Sequence, residues 1–528
     1  MSFGTALVLA LLAGFAYFSR RFLGDMFLER PIVLGPITGL IMGDFHTGLL
    51  IGGTLELVFM GAADIGGSVP PNYNIGSVVG TALAIASGQG IETALLIAIP
   101  AALLGSFCEV LAKTFSVFFV NAAERLAEKG DDKGIVRMIH IGNAAHFLAD
   151  AIPTFIALKL GAEAVKLIVD DIPAWLKSGI TVAGNILPAL GFALLLSTLA
   201  SRTLFPFFFI GFLIAAYMKV SVLGVALLAF LIALIIQYWK KSETDDTYQE
   251  SQAAPGSGPI AASVLSRRDI RSMFFRSFGI QSSFSFDRMQ ALGFTWTMLP
   301  LLRKLYKDRK DQFIAALKRH LAFFNTHPWI PGPIIALTAD LEIKKAHGQQ
   351  VDEQAIQGLK SGLMGPIAGV GDSMFHGTLR PLMGGIAASL ALQGNPIAPL
   401  LFFVSVNIVH VYVRWMTLQK GFQLGDRILG VMSSSKMRQM MEGATMAGLM
   451  ALGALTATWL NITTPLVYTV EKATVSIQSM LDGILPKLLP LAVTLFVYWL
   501  IRKRIKTTHI MLILVAAGIV LGGLKILG

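Results

Sequence analysis

Apolar runs alternate with short polar stretches along the 528 residues of this chain. In the first half the runs are Thr5–Phe18, Pro31–Ala63, Ile75–Phe118, His146–Ile168, Ile180–Ala200 and Leu204–Tyr238. A membrane-crossing helix takes about 20 apolar residues, so the first run is short and the last predicts two crossings. The second half has Gly362–Leu392, Ile397–Met416, Ala444–Leu460, Leu485–Ile501 and Ile510–Leu527. Between runs, charged Asn121–Arg137 predicts a solvated loop or a surface helix. Lys240–Ser266 is first charged, then rich in Ala, Pro, Gly and Ser, the composition of a flexible linker. Arg267–Phe275 is basic and amphipathic, and Leu301–Trp329 has apolar residues at helical spacing, which predicts surface helices.

Two runs are broken by glycine and carry charge. Pro31–Ala63 contains Gly35, Gly39, Gly43, Gly48, Gly52 and Gly53 around Asp44 and Glu56. Leu363–Pro381, LMGPIAGVGDSMFHGTLRP, contains Gly365, Gly369, Gly371 and Gly377 with Asp372, His376 and Arg380. Irregular backbone and charge at membrane depth are tolerated only where they are buried in protein or line a cavity. Each run therefore predicts a broken helix or hairpin on a polar path; the alternative is a tight turn with its charges at the surface. Asp372 and Arg380, roughly two turns apart if helical, predict a structural ion pair.

Basic residues set an expected topology through the positive-inside rule. Arg20 and Arg21, the pair Lys240 and Lys241, and the cluster Arg502–Lys506 would all be cytoplasmic, leaving both chain ends outside. The expected fold class is an all-α polytopic membrane protein of two inverted-topology halves with broken or re-entrant helices, divided as 1–239, a linker 240–266, and 267–528. No internal repeat is visible by alignment of the halves.

Composition narrows the class: 54% of residues are hydrophobic and 14% charged, where soluble domains average about 25% charged. Residues 1–252 carry a net −4 and residues 253–528 a net +15. That asymmetry fits anionic lipid or an acidic cytoplasmic partner, or simply loops on the positive side of the membrane. Basic residues dispersed among apolar spans argue against nucleic acid. The lone cysteine, Cys108, excludes an intrachain disulfide and a cysteine metal site. Met1–Ser19 lacks a basic n-region, which fits a retained first helix better than a cleaved signal.

The block from Arg30, RPIVLGPITGLIMGDFHTGLLIGGTLELVFMG, with VPPNYNIGSVVGTA after it, resembles component IIC of the mannose-family sugar phosphotransferase system. The second half is similar to component IID through RSFGIQSSFSFDRMQALG (Arg276–Gly293), RHLAFFNT (Arg319–Thr326), LMGPIAGVGD and TLRP. The resemblance implies a fused IIC–IID permease in the bacterial inner membrane, assembled as a homo-oligomer, by resemblance a trimer. It would bind a hexose or amino sugar outside and move it inward. A cytosolic phosphorylated IIB (or IIAB) partner would donate the phosphoryl group from its own histidine, leaving no catalytic residue, cofactor or metal on this chain.

A neutral sugar needs carboxylates and amides beside apolar walls. The first-half candidates are Asp44, Glu56, Asp64, Asn72 and Asn74. Glu56, between leucines, is hard to leave unpaired, and its alternative is a structural bond to a neighbouring helix end. Asp44 has helix capping as its alternative. In the second half Gln281, Asn325, Glu342 and Asp372 coincide with family signatures; Asp287 and Arg288 do so too. The resemblance marks departures at Asp64, at Asn72, and at Ile343, where the family commonly has a second acidic residue, so the sugar stays open. His320 and His376 lie in IID-like signatures rather than in a phosphocarrier domain, so neither is read as a phosphoryl acceptor. His140 and His146 do not share a helical face, so no metal site is inferred. Two rivals remain: a facilitator working without phosphorylation, and a membrane receptor for a peptide.

Overall fold

The computed structural model describes residues 1–62, 70–170, 173–244, 264–425, 435–470 and 473–528. Asp64 and most of the stretch read as a linker, residues 245–263, lie outside them. The first half is helical at Phe3–Phe22, Pro31–Met42, Phe45–Phe59, Tyr73–Ala86, Ile91–Glu128, Asp132–Asp170, Ala174–Ile186, Pro188–Leu199, Phe205–Met218 and Val222–Thr244. The second half begins with shorter helices, Arg267–Ser277, Ala291–Leu305, Lys310–His320 and Gly332–Ala346. Glu353–Gly371, Arg380–Leu392, Ala398–Leu424, Ser435–Trp459, Ile477–Ile484, Leu488–Arg502 and Thr507–Gly523 follow. Among the described residues five helices are long and apolar enough to cross a bilayer, or six if the bent pair Ile477–Ile484 and Leu488–Arg502, at 75°, counts as one span. The chain is a multi-pass membrane protein.

Residues 31–62 fold as a helical hairpin, one of the two forms that the glycines predict. Its two helices have 12 and 15 residues, about 18 and 22 Å at 1.5 Å per residue, each short of the hydrocarbon core of about 30 Å. Glycine makes the close packing possible: a Cβ on Gly35 would lie 2.5 Å from the Gly52 Cα, and one on Gly48 would lie 2.7 Å from the Gly39 Cα. Gly43 closes the turn at φ +85°, a conformation that side chains resist.

The second glycine-broken run does not form a hairpin. Glu353–Gly371 passes into an eight-residue π-helical stretch, Asp372–Leu379, and then into Arg380–Leu392. Such wide turns recur at functional positions because they re-aim side chains without ending the helix. The two broken runs touch: a Cβ on Gly384 would lie 3.0 Å from Glu56 Oε1, and one on Gly53 would lie 3.0 Å from the Ala391 Cβ.

Local details differ from the sequence expectation. Asn121–Arg137 is neither loop nor separate surface helix; it forms the ends of Ile91–Glu128 and Asp132–Asp170, joined by a turn with Gly130 at φ +69°. At 38 and 39 residues these helices are about 57 Å long and outrun a bilayer. On Ile91–Glu128 an outward stripe of Leu104, Phe107, Leu111, Phe115 and Phe118 is exposed, as lipid-facing residues are. Arg20 and Arg21, counted as a cytoplasmic flank, are buried at 6% and 2% exposure. One antiparallel hairpin, Val467–Val470 with Ala473–Ser476, interrupts the helices; its sequence, VYTV and ATVS, is rich in β-branched residues.

A smaller apolar cluster, including Leu9, Leu34, Val78 and Leu158, lies wholly within the first half, but the two larger ones cross between the halves. One joins Ile51, Leu190 and Phe208 to Leu449, Leu455 and Val497. A second joins Phe27, Leu49 and Ile139 to Phe294, Trp329 and Phe402.

Candidate functional site

A polar chamber of about 80 Å³ lies between the halves. Arg20, Arg21 and Lys113 line it from the first half; Gln281, Gln290, Asn325, Thr326, Asp372 and His376 line it from the second. It gathers three of the sugar-binding candidates named from sequence, Gln281, Asn325 and Asp372. Each arrives by a different local device. Gln281 ends a 3-10 turn, Phe278–Gln281, that directly follows the basic helix Arg267–Ser277. Asn325 sits in an extended segment, its N–H directed at Met364 Sδ at 3.1 Å. Asp372 begins the π-helical stretch.

The chamber's cations are held by buried acids. Arg20 Nε lies 3.5 Å from Asp25 Oδ1, Arg21 Nη2 lies 3.3 Å from Glu109 Oε1, and Lys113 Nζ lies 2.9 Å from the same Glu109 oxygen. Arg21 also donates to the Tyr17 hydroxyl at 2.7 Å. Gln290 is locked by exchanging bonds with Thr326: its Nε2 donates to Thr326 O at 2.7 Å and its Oε1 accepts the Thr326 N–H at 3.1 Å. Gln281 is different. Its Oε1 is buried with no hydrogen-bond partner among the described residues, and such an acceptor is costly unless something donates to it.

His376 completes the wall. Its Nε2 lies 3.0 Å from Asp25 Oδ2, and its Nδ1 lies 3.8 Å from Asp372 Oδ1. His327, Asp372 and His376 offer donor atoms within 4.8 Å of one another, a grouping not legible from the sequence. His327 Nδ1, however, accepts the Trp329 N–H at 3.2 Å, which leaves Nε2 as the protonated nitrogen and unsuited to metal. The cluster is a hydrogen-bonding wall.

The other sequence-derived residues lie elsewhere. Glu56 is fully used by Arg30: Nη2 to Oε1 at 2.5 Å, Nε to Oε1 at 3.0 Å and Nε to Oε2 at 3.2 Å, with the Ile32 N–H adding 3.3 Å. Asp44 caps Phe45–Phe59 by accepting the Thr47 N–H at 3.0 Å. Asn72 and Asn74 both donate to Asp150, at 3.1 and 2.6 Å, and Asn72 Oδ1 caps its own helix through the Ile75 N–H. Glu342 belongs to a cluster among the short helices, none of which is long and apolar enough to span. There it accepts from Arg319 at 2.8 and 3.0 Å and from the Tyr306 hydroxyl at 2.7 Å, with His320 Nε2 at 3.0 Å. Burial pushes the His320 pKa down to about 4. Burial opposes ionisation of Glu342, but His320 and the Arg319 guanidinium outweigh it and hold the carboxyl below its usual range.

The expected ion pair between Asp372 and Arg380 is absent. Arg380 instead donates to Ala62 O and Met60 O, both at 3.0 Å, while Arg30 donates to Phe59 O at 3.1 Å. These carbonyls lie at and just past the end of the hairpin helix, and cations suit that end of the dipole. Two arginines, one from each half, thus cap one helix terminus.

Residues 264–527 match the family model described as PTS system mannose/fructose/sorbose family IID component, and residues 3–235 match that of the PTS system sorbose-specific IIC component. The sorbose-specific EIID component of Klebsiella pneumoniae is 43% identical over 48% of this chain and 95% of its own length. The fructose permease IIC component of Bacillus subtilis is 31% identical over 46% of this chain and 89% of its own length. Among solved structures, a chain of the mannose transporter ManYZ in complex with microcin E492 is 38% identical, covering 50% of this chain and 98% of that one, with a TM-score of 0.30.

Proposed function

Since the chain belongs to the mannose/fructose/sorbose family of phosphotransferase-system membrane permeases, with IIC-type and IID-type components in one polypeptide, we propose that the chamber between its halves is where a hexose is held during translocation. The observation carrying this reading is the chamber's make-up: amides Gln281 and Asn325, carboxylate Asp372 and His376 from one half, and Arg20, Arg21 and Lys113 from the other. Vicinal hydroxyls both donate and accept, and this set offers both. The unpartnered Gln281 Oε1 would accept a sugar hydroxyl. At about 80 Å³ the chamber is far below the ~300 Å³ of small-molecule pockets, so loading requires the halves to part. A wall shared by both halves makes that movement and access to the site one event.

The sugar would enter from outside and be released toward a cytosolic IIB partner, which transfers phosphate to it. The chain would lie in the bacterial inner membrane as an assembly of several copies. Uptake of labelled hexoses by cells carrying this chain, with and without a mannose-family IIB protein, tests the reading. Recovery of one sugar as its phosphate only when IIB is present is the expected result. Equal entry of free sugar in both cases would make the chain a facilitator instead.

A further inference from the structure

Outside the chamber, the basic helix Arg267–Ser277 forms one wall of an apolar groove. The helix is locally encoded: Ser266 and Asp269 cap it reciprocally, which fixes its start independently of packing. Phe274 packs edge-on against Trp415 with ring centroids 4.9 Å apart, and Phe278 packs on His410 at 5.4 Å. These contacts join it to Ala398–Leu424, a spanning helix whose Leu400, Val404, Ile408, Val411 and Tyr412 are exposed. The groove between them is about 930 Å³, and its lining is carbon except near Arg271, Asn407 and the Tyr412 hydroxyl.

The groove has a charged end and an apolar end. Phe274 lies opposite Trp415 and Phe278 opposite His410, so Arg271 stands at the Trp415 end and the trough runs from there toward Phe403. That run along the spanning helix rises about 18 Å, near the depth of one leaflet, half of a core about 30 Å thick. Arg267 and Arg268 lie one turn beyond Arg271. All three are exposed, and none has an acidic partner among the described residues. Tyr412 and Trp415 stand near the charged end, where aromatic residues mark the headgroup level.

We propose that this groove is a site for an anionic phospholipid, its phosphate on Arg271 and an acyl chain along Val404, Ile408 and Phe275. A second copy of the chain would have to bury three guanidinium groups that no acid in this chain's described residues neutralises; a phosphodiester neutralises them and leaves its tail where the wall is carbon. Occupancy bears on the chamber through the chain, because the basic helix runs directly into the turn that carries Gln281.

The test is native mass spectrometry of the purified full chain in micelles holding equal phosphatidylglycerol and phosphatidylcholine with identical acyl chains. Wild type retains phosphatidylglycerol preferentially; Arg271→Gln lowers the retained ratio about fivefold, the size of one basic residue's contribution at an anionic surface. Ile408→Trp, which fills the trough, displaces both lipids. Equal retention of the two lipids by wild type, or a ratio unmoved by Arg271→Gln, overturns the proposal. So does efficient crosslinking between copies through Val404→Cys in a Cys108→Ser background, which would make the groove a subunit interface.

Discussion

His376 Nε2 lies 3.0 Å from Asp25 Oδ2, closing a contact between residues 351 positions apart. Asp25 belongs to the short connection between the first helix and the glycine hairpin; His376 belongs to the π-helical stretch of the other half. The bond therefore ties the π-helical stretch of the second half to the first half beside the chamber. Asp25 also faces Arg20 at 3.5 Å, so the carboxylate is shared between the two halves' walls.

A double-mutant cycle on Asp25→Asn and His376→Gln measures that tie. Buried pairs in one network couple by roughly 0.5–3 kcal/mol. The expected coupling, read from thermal unfolding of the purified protein in detergent, lies in the upper part of that range. Additive effects would show that the two groups are neighbours without a working bond.

Substitutions should separate chamber residues from scaffold residues. Gln281→Leu, Asn325→Leu and Asp372→Leu each remove one or two hydrogen bonds to a hydroxylated ligand, about 1–3 kcal/mol when a buried partner is stranded. The half-saturating sugar concentration should rise about 10-fold or more while protein amount in the membrane holds. Glu56→Leu, by contrast, strands the Arg30 guanidinium and should cost about 3–5 kcal/mol of stability. Its signature is loss of folded protein. Uptake kinetics set beside quantitative immunoblots distinguish the two classes.

The glycine hairpin offers a sharper contrast. Gly43→Ala keeps open space around the new methyl, since nothing lies within 4 Å, but must hold φ +85°; the cost is about 1–2 kcal/mol. Gly35→Leu meets the Gly52 Cα at 2.5 Å, and the two helices must separate. Gly43→Ala should accumulate near wild-type level and Gly35→Leu should not. Equal accumulation of both would mean that the hairpin packs more loosely than these distances.

Much of the architecture was legible because its cause is local. Glycines spaced by four, a proline at a helix start and an aspartate before Phe45 each act within a turn or two, and they produced the hairpin. The chamber was half legible. Asn325, Gln281 and Asp372 were found through family signatures, whereas Arg20 and Arg21 read as a membrane flank because a sequence does not show that Asp25 and Glu109 receive them. Glu56 shows the same limit from the other side. A buried glutamate needs a partner, but nothing in the sequence identifies Arg30, 26 residues away, rather than a sugar, as that partner. The Arg380 reading failed for geometric reasons: the π-helical stretch sends the guanidinium across to the hairpin's end carbonyls instead of back to Asp372.

The cluster of Arg319, His320 and Glu342 predicts a loss of stability in acid. His320 has its folded-state pKa lowered to about 4 from an ordinary 6.5. As pH falls through 6.5 the unfolded chain takes up a proton that the folded chain refuses, so stability drops until about pH 4. Glu342, also held low, works in the same direction: its contribution is complete above the ordinary carboxylate pKa and is lost as pH falls through the lowered one. The His320 part amounts to on the order of 3 kcal/mol across that interval. Amide hydrogen exchange of Lys310–His320 and Gly332–Ala346, corrected for intrinsic rates, should show protection nearly constant from pH 8 to 7 and falling from pH 6.5 toward 4. His320→Gln should flatten the upper part of the fall while leaving the lower, carboxylate part in place. Protection that rises on acidification would reverse the sign of the shift and place a charged His320 in the folded protein.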